Sequence, residues 1–378
     1  GSMTVASEAE TAVAIQGGPD YRTTREYAES TAMGISTGDG QHVILNDGDI
    51  VVSASIQGNS SDSLQAIGIQ TGAGDDMIVN SGDVTTAVED INGTGVGVAV
   101  TTGAGDDVVA LMAASESNGS VDLGEGDDRL NLVEDAALNG EAGGGDGRDA
   151  IVFYGQGAYD GLIMDFETAT KYDAGTYRLN SLPTMNELSV YDGVLQTQGD
   201  YTFDETGLAL MRIHLDGFGQ LWVDGMADLG GSLSVLAEQR AYHNGEVFPI
   251  IQSGGLMDTF QEVSLPEARQ LLRFELNYND EDEQVEVLAR TRPFRTVARN
   301  ANERAIANYL DRIAPGATGE MSRVLGEFQT LQGNQFGEAF AGMSPASYGA
   351  STGAGLNTAR LHTRVVSQRM QSLGSGAA

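Results

Sequence analysis

The chain has 378 residues, of which 40% are hydrophobic, yet it contains 51 glycines and only 6% aromatic residues. It can bury a long core, but this composition fits one elongated body with many tight turns better than a globular enzyme. The formal net charge of −34 argues against nucleic acid or an anionic membrane as a partner, and the absence of cysteine excludes disulfides and cysteine-bound metals. No stretch approaches eighteen consecutive apolar residues, so no membrane-spanning helix is predicted.

A turn flanked by strand-forming residues recurs five times near the start of the chain. The copies cover residues 35–45, 69–79, 100–110, 121–131 and 142–152. Their spacing of 34, 31, 21 and 21 residues suits one coil of a parallel β-solenoid per copy. The β-branched residue before the turn favours a half-buried strand. These residues are predicted to stack in one internal column, formed by Ile35, Ile69, Val100 and Val121.

Aspartates follow the second glycine of the turns. If the turns stack, Asp76, Asp107, Asp128 and Asp149 form a line with neighbours about 4.8 Å apart. The residues one position earlier are Asp75, Asp106 and Asp127. Carboxylates so close together raise their pKa values, turn toward water or recruit a cation. Because oxygen ligands suit Ca²⁺, these seven aspartates are predicted metal ligands and calcium is the predicted cofactor. The alternative is that they are turn residues exposed to solvent.

The apparent catalytic motifs coincide with positions of the repeat. Residues 34–38 (GISTG) match the G-x-S-x-G elbow of hydrolases, but Ser36 aligns with Gln70, Thr101 and Asp122 in the other copies. The adjacent aspartates resemble the acid and base of polygalacturonase-type enzymes, yet three copies are too many for one active site. The four histidines have no metal-ligand spacing. We therefore predict no catalytic residues.

Further along, residues 166–290 keep a strand-like alternation and are predicted to continue the solenoid less regularly. Residues 279–283 are predicted to form a hairpin tip. After Pro293 the pattern becomes helical, and three short amphipathic helices are predicted to pack on the end of the solenoid. A fourth helical stretch over residues 355–373 is rich in arginine. The predicted segments are 4–165, 166–290, 291–345 and 346–378.

Charge also divides the chain. Residues 1–150 contain 26 acidic residues and 4 arginines, whereas residues 290–378 contain 10 arginines and 5 acidic residues. Lys171 is the only lysine. The two ends are therefore expected to belong to different structures.

The turns resemble the calcium-binding nonapeptides of RTX proteins. They fit G-x-G-x-D-x-U at residues 72–78, 103–109, 124–130 and 145–151, whereas His42 replaces the aspartate in the first copy. In RTX repeats the glycines turn the chain and the aspartate reaches the ion. The resemblance therefore implies the same calcium site at these turns.

A second resemblance covers roughly residues 160–378. The stretches 165–177, 245–250 (GEVFPI), 302–310 (NERAIANYL) and 341–348 (AGMSPASY) are similar to the end of an autotransporter passenger. The family implies a right-handed parallel β-helix, an autochaperone region near 190–290, and a linker in 346–378 that leads to an outer-membrane barrel absent from this chain. A basic final helix suits the polar lumen of such a barrel.

Together these features predict an all-β, right-handed parallel β-helix with short C-terminal helices. Its expected function is an extracellular adhesin or self-association protein of a Gram-negative bacterium, active in aggregation or biofilm. Its expected partners are its own barrel, a cell-surface or matrix polysaccharide or protein, or itself, and no nucleic acid. A polysaccharide-active enzyme and an ice- or mineral-binding solenoid are the alternatives.

Overall fold

The computed structural model describes residues 3–10, 30–57, 64–90 and 93–343. The arginine-rich helix predicted over 355–373 lies outside the described residues. Within them the chain is mostly β-strand, arranged in mostly parallel sheets, with few helices. The predicted all-β class is therefore confirmed. No helix in the described ranges is long and apolar enough to cross a membrane.

The strands are short, and all of the first eighteen except β17 lie in three sheets. In chain order they are β1 (Met3–Glu10), β2 (Ser30–Ser36), β3 (Val43–Asn46), β4 (Ile50–Gln57), β5 (Leu64–Gln70), β6 (Met77–Asn80), β7 (Val84–Asp90), β8 (Gly93–Val96), β9 (Val98–Ala104), β10 (Val108–Leu111), β11 (Glu116–Asn118), β12 (Ser120–Glu125), β13 (Arg129–Val133), β14 (Ala137–Leu138), β15 (Ala142–Gly143), β16 (Ala150–Tyr154), β17 (Gly157–Tyr159) and β18 (Ile163–Met164).

Twelve further strands and three α-helices complete the described chain. They are β19 (Thr168–Tyr172), β20 (Thr176–Leu179), β21 (Glu187–Val190), β22 (Gly193–Thr197), β23 (Tyr201–Thr202), β24 (Leu208–Ile213), β25 (Gly219–Leu229), β26 (Ser232–Ala237), β27 (Glu246–Asp258), β28 (Glu262–Ser264), β29 (Leu272–Asn279), β30 (Gln284–Thr291), α1 (Ala301–Ile313), α2 (Gly319–Thr330) and α3 (Gln335–Met343).

Equivalent strands of successive repeats lie side by side. Sheet A has the order β1-β4-β7-β11-β14, sheet B the order β2-β5-β9-β12-β15-β18, and sheet C the order β3-β6-β10-β13-β16-β19-β21-β24-β26-β28. The chain passes from sheet B to sheet C to sheet A and back, and we call each such passage a coil. The exception is β8, which pairs antiparallel with β7.

The strand register confirms the predicted internal column. Ile35 pairs with Ile69, Ile69 with Val100, and Val100 with Val121. The last three side chains are at most 1% exposed, whereas Ile35, on the edge strand β2, is half-buried. The same column continues through Ala142 to Ile163. Burial of this apolar column contributes to the hydrophobic stabilisation of the coils.

After β18 the coils change, because sheet B ends there. The chain then alternates between sheet C and sheet D, whose order is β17-β20-β22-β25-β27-β30-β29, with β23 beside β25. Strands of sheets C and D therefore run through residues 166–290, and the predicted continuation of the solenoid there stays a prediction. The predicted hairpin is also present, since β29 and β30 are neighbours in sheet D joined by the four residues 280–283.

The described chain divides into two compact units. The first contains the described residues up to 238 together with 248–266 and 276–287, and the second contains 239–247, 267–275 and the described residues from 288 onward. The second unit includes all three predicted helices. Its core is built around Phe328, whose ring lies 5.0 to 5.7 Å from those of Phe294, Phe336 and Phe340.

Candidate functional site: the stacked aspartate turns

The turn between sheet B and sheet C needs glycine for two separate reasons. Gly105 has a φ of +137°, a conformation that residues with a side chain rarely adopt. A Cβ on Gly103 would run into the backbone carbonyl of Gly72 in the preceding coil. The two glycines of each copy therefore let the turns of successive coils stack backbone against backbone.

The second aspartate of each turn points into the protein. Asp107 Oδ1 accepts a hydrogen bond from Asp76 N at 2.6 Å, and Asp128 Oδ1 accepts one from Asp107 N at 2.7 Å. Asp149 Oδ1 accepts one from Asp128 N at 2.8 Å. Each bond reaches the equivalent residue of the preceding coil. We call Asp76, Asp107, Asp128 and Asp149 the inner column, and all four are at most 3% exposed.

The first aspartate of each turn faces solvent and bonds in the opposite direction. Asp75 Oδ1 accepts from Asp106 N at 3.1 Å, and Asp106 Oδ1 accepts from Asp127 N at 2.9 Å. Asp127 Oδ1 accepts from Arg148 N at 3.0 Å. Each bond reaches the equivalent residue of the following coil. We call Asp75, Asp106 and Asp127 the outer column, and the adjacent aspartates of one turn thus tie it to both of its neighbours.

These bonds satisfy backbone groups that the sheets leave unpaired. The bonded N–H groups lie in the turn between the strands of sheet B and sheet C, where strand pairing supplies no acceptor. A buried N–H without an acceptor is destabilising, and a carboxylate is a strong substitute for a carbonyl. The aspartate pairs therefore cap the backbone of the neighbouring turns.

The inner column ends in a different residue on each side. In the first copy His42 N donates to Asp76 Oδ1 at 2.6 Å, and His42 Nδ1 lies 3.1 Å from the same oxygen. Beyond the last copy Glu167 Oε2 accepts from Asp149 N at 2.6 Å. A longer acidic side chain thus provides the same cap from a coil that lacks the two-glycine turn.

Burial makes the inner column electrostatically unusual. The Oδ2 atom of each of its four aspartates is buried and has no hydrogen-bond partner among the described residues. Burial, and then the charges of Asp107 and Asp149, raise the pKa of Asp128 to about 7. Burial also raises the pKa of Asp107 and of Asp149. Asp107, Asp128 and Asp149 therefore bind protons more tightly than exposed aspartates do.

The seven predicted calcium ligands form two columns and do not surround one point. In the described part of the chain, no three Asp, Glu or His side chains converge closely enough to hold a metal ion. Calcium takes six to eight oxygen ligands, whereas one oxygen of each inner aspartate already accepts a backbone N–H. The residues as arranged do not fit the predicted site, and calcium binding stays a prediction.

Two features of the site were missed from the sequence. One is the capping role of the aspartate pairs, and the other is Glu167. A signal for Glu167 existed in the sequence, because an acidic residue directly precedes the strand-like run 168–172 just as Asp149 precedes the run 150–154. The structure pairs these two strands, with Ala150 opposite Thr168. The other candidates lie apart from this arrangement. Ser36 is exposed at the end of β2, and His214 Nε2 lies 2.9 Å from Asp192 Oδ1.

The comparison with known proteins does not add a family. No protein-family model matches the chain, and the curated proteins contain no significant match to it.

Proposed function

We propose that this chain is the passenger of an autotransporter, folded as a right-handed parallel β-helix and displayed outside a Gram-negative cell. The residue patterns over 160–378 support the family, and the parallel coils of sheets A to D support the helix. The right hand is supported by a general rule, because connections between parallel strands of one sheet are right-handed in about 98% of cases.

We propose further that the passenger acts as an adhesin or self-association protein. The observation that carries this proposal is the outer column, in which an exposed carboxylate stands at the same place on successive coils. A repeated group of this kind can meet a partner surface through many weak contacts whose combined affinity exceeds that of each contact. A partner surface with repeated cationic or hydrogen-bond donor groups would suit it.

The proposal includes no enzymatic activity. The aspartate pairs, which in the sequence resemble an acid and a base, are occupied as caps of neighbouring turns. They also recur in three successive coils, whereas an active site needs one arrangement at one place. The proposed partners are the outer-membrane barrel, a surface polysaccharide or protein, or a second passenger, and the segment 190–290 is proposed to promote folding.

The test is to express the intact gene in a strain that does not aggregate. We expect cells that display the passenger to clump or to form biofilm, while cells that display only the barrel remain dispersed. A variant with Asp75, Asp106 and Asp127 all changed to asparagine keeps an acceptor oxygen for each backbone cap. Cells that display this variant should clump less than cells that display the unchanged passenger. Dispersed cells with verified surface display would contradict the proposal, as would turnover of polygalacturonate that is lost on changing one aspartate pair.

A further inference from the structure

A row of planar side chains crosses the outer face of sheet D. Arg178 on β20 pairs with Gln196 on β22, which pairs with Trp222 on β25, which pairs with Gln252 on β27. On the next strand, Gln284 Nε2 donates to Gln252 Oε1 at 3.1 Å. We call these five residues the tryptophan row. All five belong to the first compact unit.

The tryptophan of this row points away from the core. Trp222 is 37% exposed, whereas its neighbours along β25, Leu221 and Val223, are 0% and 2% exposed. It is the only tryptophan of the chain. Tryptophan gains much from burial, and an exposed one on a rigid sheet is typical of a surface that binds a partner. Met226 on the same strand is also exposed and widens the apolar part of this surface.

The amides beside Trp222 are held in place but keep bonding capacity. Gln196 Nε2 donates to the exposed Asp224 Oδ1 at 2.9 Å. Within the described chain, Gln196 Oε1, Gln252 Nε2 and Gln284 Oε1 make no further hydrogen bond. An acceptor and a donor therefore flank the indole on the two neighbouring strands. These groups are fixed by their own contacts, so a ligand would lose little of its binding energy in ordering them.

We propose that the tryptophan row binds a neutral polysaccharide chain that lies across the strands of sheet D. A sugar ring has an apolar C–H face, which would stack on the Trp222 indole, and a rim of hydroxyl groups, which would bond to Gln196, Gln252 and Asp224. Because neighbouring strands are about 4.8 Å apart, a polymer lying across them meets a new side chain at each strand. The net charge of −34 disfavours an anionic polymer.

This inference rests on the proposed function, because it names the partner class of the proposed adhesin. A second copy of the chain is a less suitable occupant, since two bodies of charge −34 repel each other. A sugar chain can also contact both kinds of group in the tryptophan row, by stacking on the indole and by hydrogen bonding to the amides.

The lone tryptophan allows a direct test by fluorescence. The purified chain is titrated with hexasaccharides from cellulose, laminarin, xylan, mannan and dextran, and with hexagalacturonate as an anionic comparison. We expect a saturable change in Trp222 emission with at least one neutral sugar and a weaker response to hexagalacturonate. Gln252→Ala should weaken binding at least tenfold, while Met257→Ala, exposed on the same strand β27, should leave it unchanged.

Calorimetry extends the test to a variant without the tryptophan. Trp222→Ala should bind the responding sugar at least tenfold more weakly while keeping the melting temperature of the parent. The inference would be overturned if no neutral sugar changed the Trp222 emission or if hexagalacturonate bound more tightly than the neutral sugars. It would also be overturned if Trp222→Ala bound the responding sugar as tightly as the parent. If sugar binding fails while cells displaying the passenger still clump, only the tryptophan row is misassigned. If the sugar binds and cells stay dispersed, the adhesin proposal fails.

Discussion

At the scale of single residues, the paired aspartates are explained by the backbone that they cap. An unsatisfied buried N–H costs about 1–3 kcal/mol, and without the inner column the turns at Asp76, Asp107 and Asp128 would each contain one such group. Asp128 takes the N–H of Asp107, whereas Asp127 takes that of Arg148. As a consequence, the inner column is a line of buried carboxyl groups, each with one oxygen that has no hydrogen-bond partner among the described residues.

The first prediction concerns the pH dependence of stability. The pKa of Asp128 rises from 3.8 to about 7 in the folded protein, chiefly because the group is buried. A carboxyl with a raised pKa contributes stability below its unfolded pKa and loses it as the pH rises toward the folded value. Asp128→Asn is neutral and keeps Oδ1 as an acceptor. We expect this variant to be more stable than the parent at pH 8 by about 1–3 kcal/mol, with no gain at pH 4.

Melting curves of both proteins between pH 4 and pH 8 measure this difference. Asp127→Asn is the matched control, because Asp127 makes an equivalent backbone bond but faces solvent. The control should show a much smaller difference at every pH. Equal pH profiles for the parent and Asp128→Asn would show that burial does not perturb this carboxyl.

The second prediction concerns the turn glycines. Gly105→Ala places a side chain at φ +137° and puts its Cβ 2.6 Å from the carbonyl carbon of Gly74. Both effects are unfavourable, so we expect a loss of at least about 2 kcal/mol. Gly38→Ala is the control, because no atom lies within 4 Å of its added Cβ. Urea unfolding measures both, and an equal loss in the two variants would refute the requirement for close stacking.

At the scale of elements, the repeat and the helices were predictable, but the end of sheet B and the surface against which each helix packs were not. The spacing of the turns predicted which strands pair, and apolar stripes predicted α1, α2 and α3. No local sequence pattern marks the end of sheet B at β18. A coil can lack a strand in one sheet while its remaining strands keep the alternation of apolar and polar residues. The sequence also did not show which aspartate of each pair is buried and which is exposed, because adjacent side chains in a turn follow no fixed period.

The second unit shows why long-range contacts escape sequence reasoning. Gln329 on α2 accepts from Tyr242 N at 2.9 Å and donates to Tyr242 O at 2.8 Å. Its amide thus pairs with a backbone segment 87 residues earlier, as a neighbouring strand would. In the sequence this residue is a glutamine beside an apolar stripe. A helix pattern indicates which face is buried but not what it is buried against.

The third prediction tests that contact. Gln329→Ala removes the acceptor of the Tyr242 N–H and the donor to Tyr242 O in a buried contact, so we expect the free energy of unfolding to fall by about 2–4 kcal/mol. Gln332→Ala, just beyond the end of α2, removes an exposed side chain and should change stability by less than about 0.5 kcal/mol. Chemical denaturation of both variants gives the comparison. Similar losses would mean that water replaces the missing amide.

At the scale of the whole molecule, charge is the dominant property. A net charge of −34 opposes a compact state, and 49 of the 54 acidic residues lie before residue 290. At 0.1 M salt, the repulsion between exposed charges more than about 10 Å apart is largely screened. Screening alone should therefore let NaCl, MgCl₂ and CaCl₂ each stabilise the protein.

The last prediction separates screening from a calcium site. Metal-stripped protein is melted in CaCl₂, MgCl₂ and NaCl at equal ionic strength. Because one oxygen of each inner aspartate accepts an N–H and no three carboxylates converge in the described chain, we expect similar rises in melting temperature with all three salts. A saturable calorimetric titration with Ca²⁺ alone, weakened by Asp128→Ala, would instead establish the calcium site predicted from the turns, since specific binding to the folded state raises stability with ligand concentration.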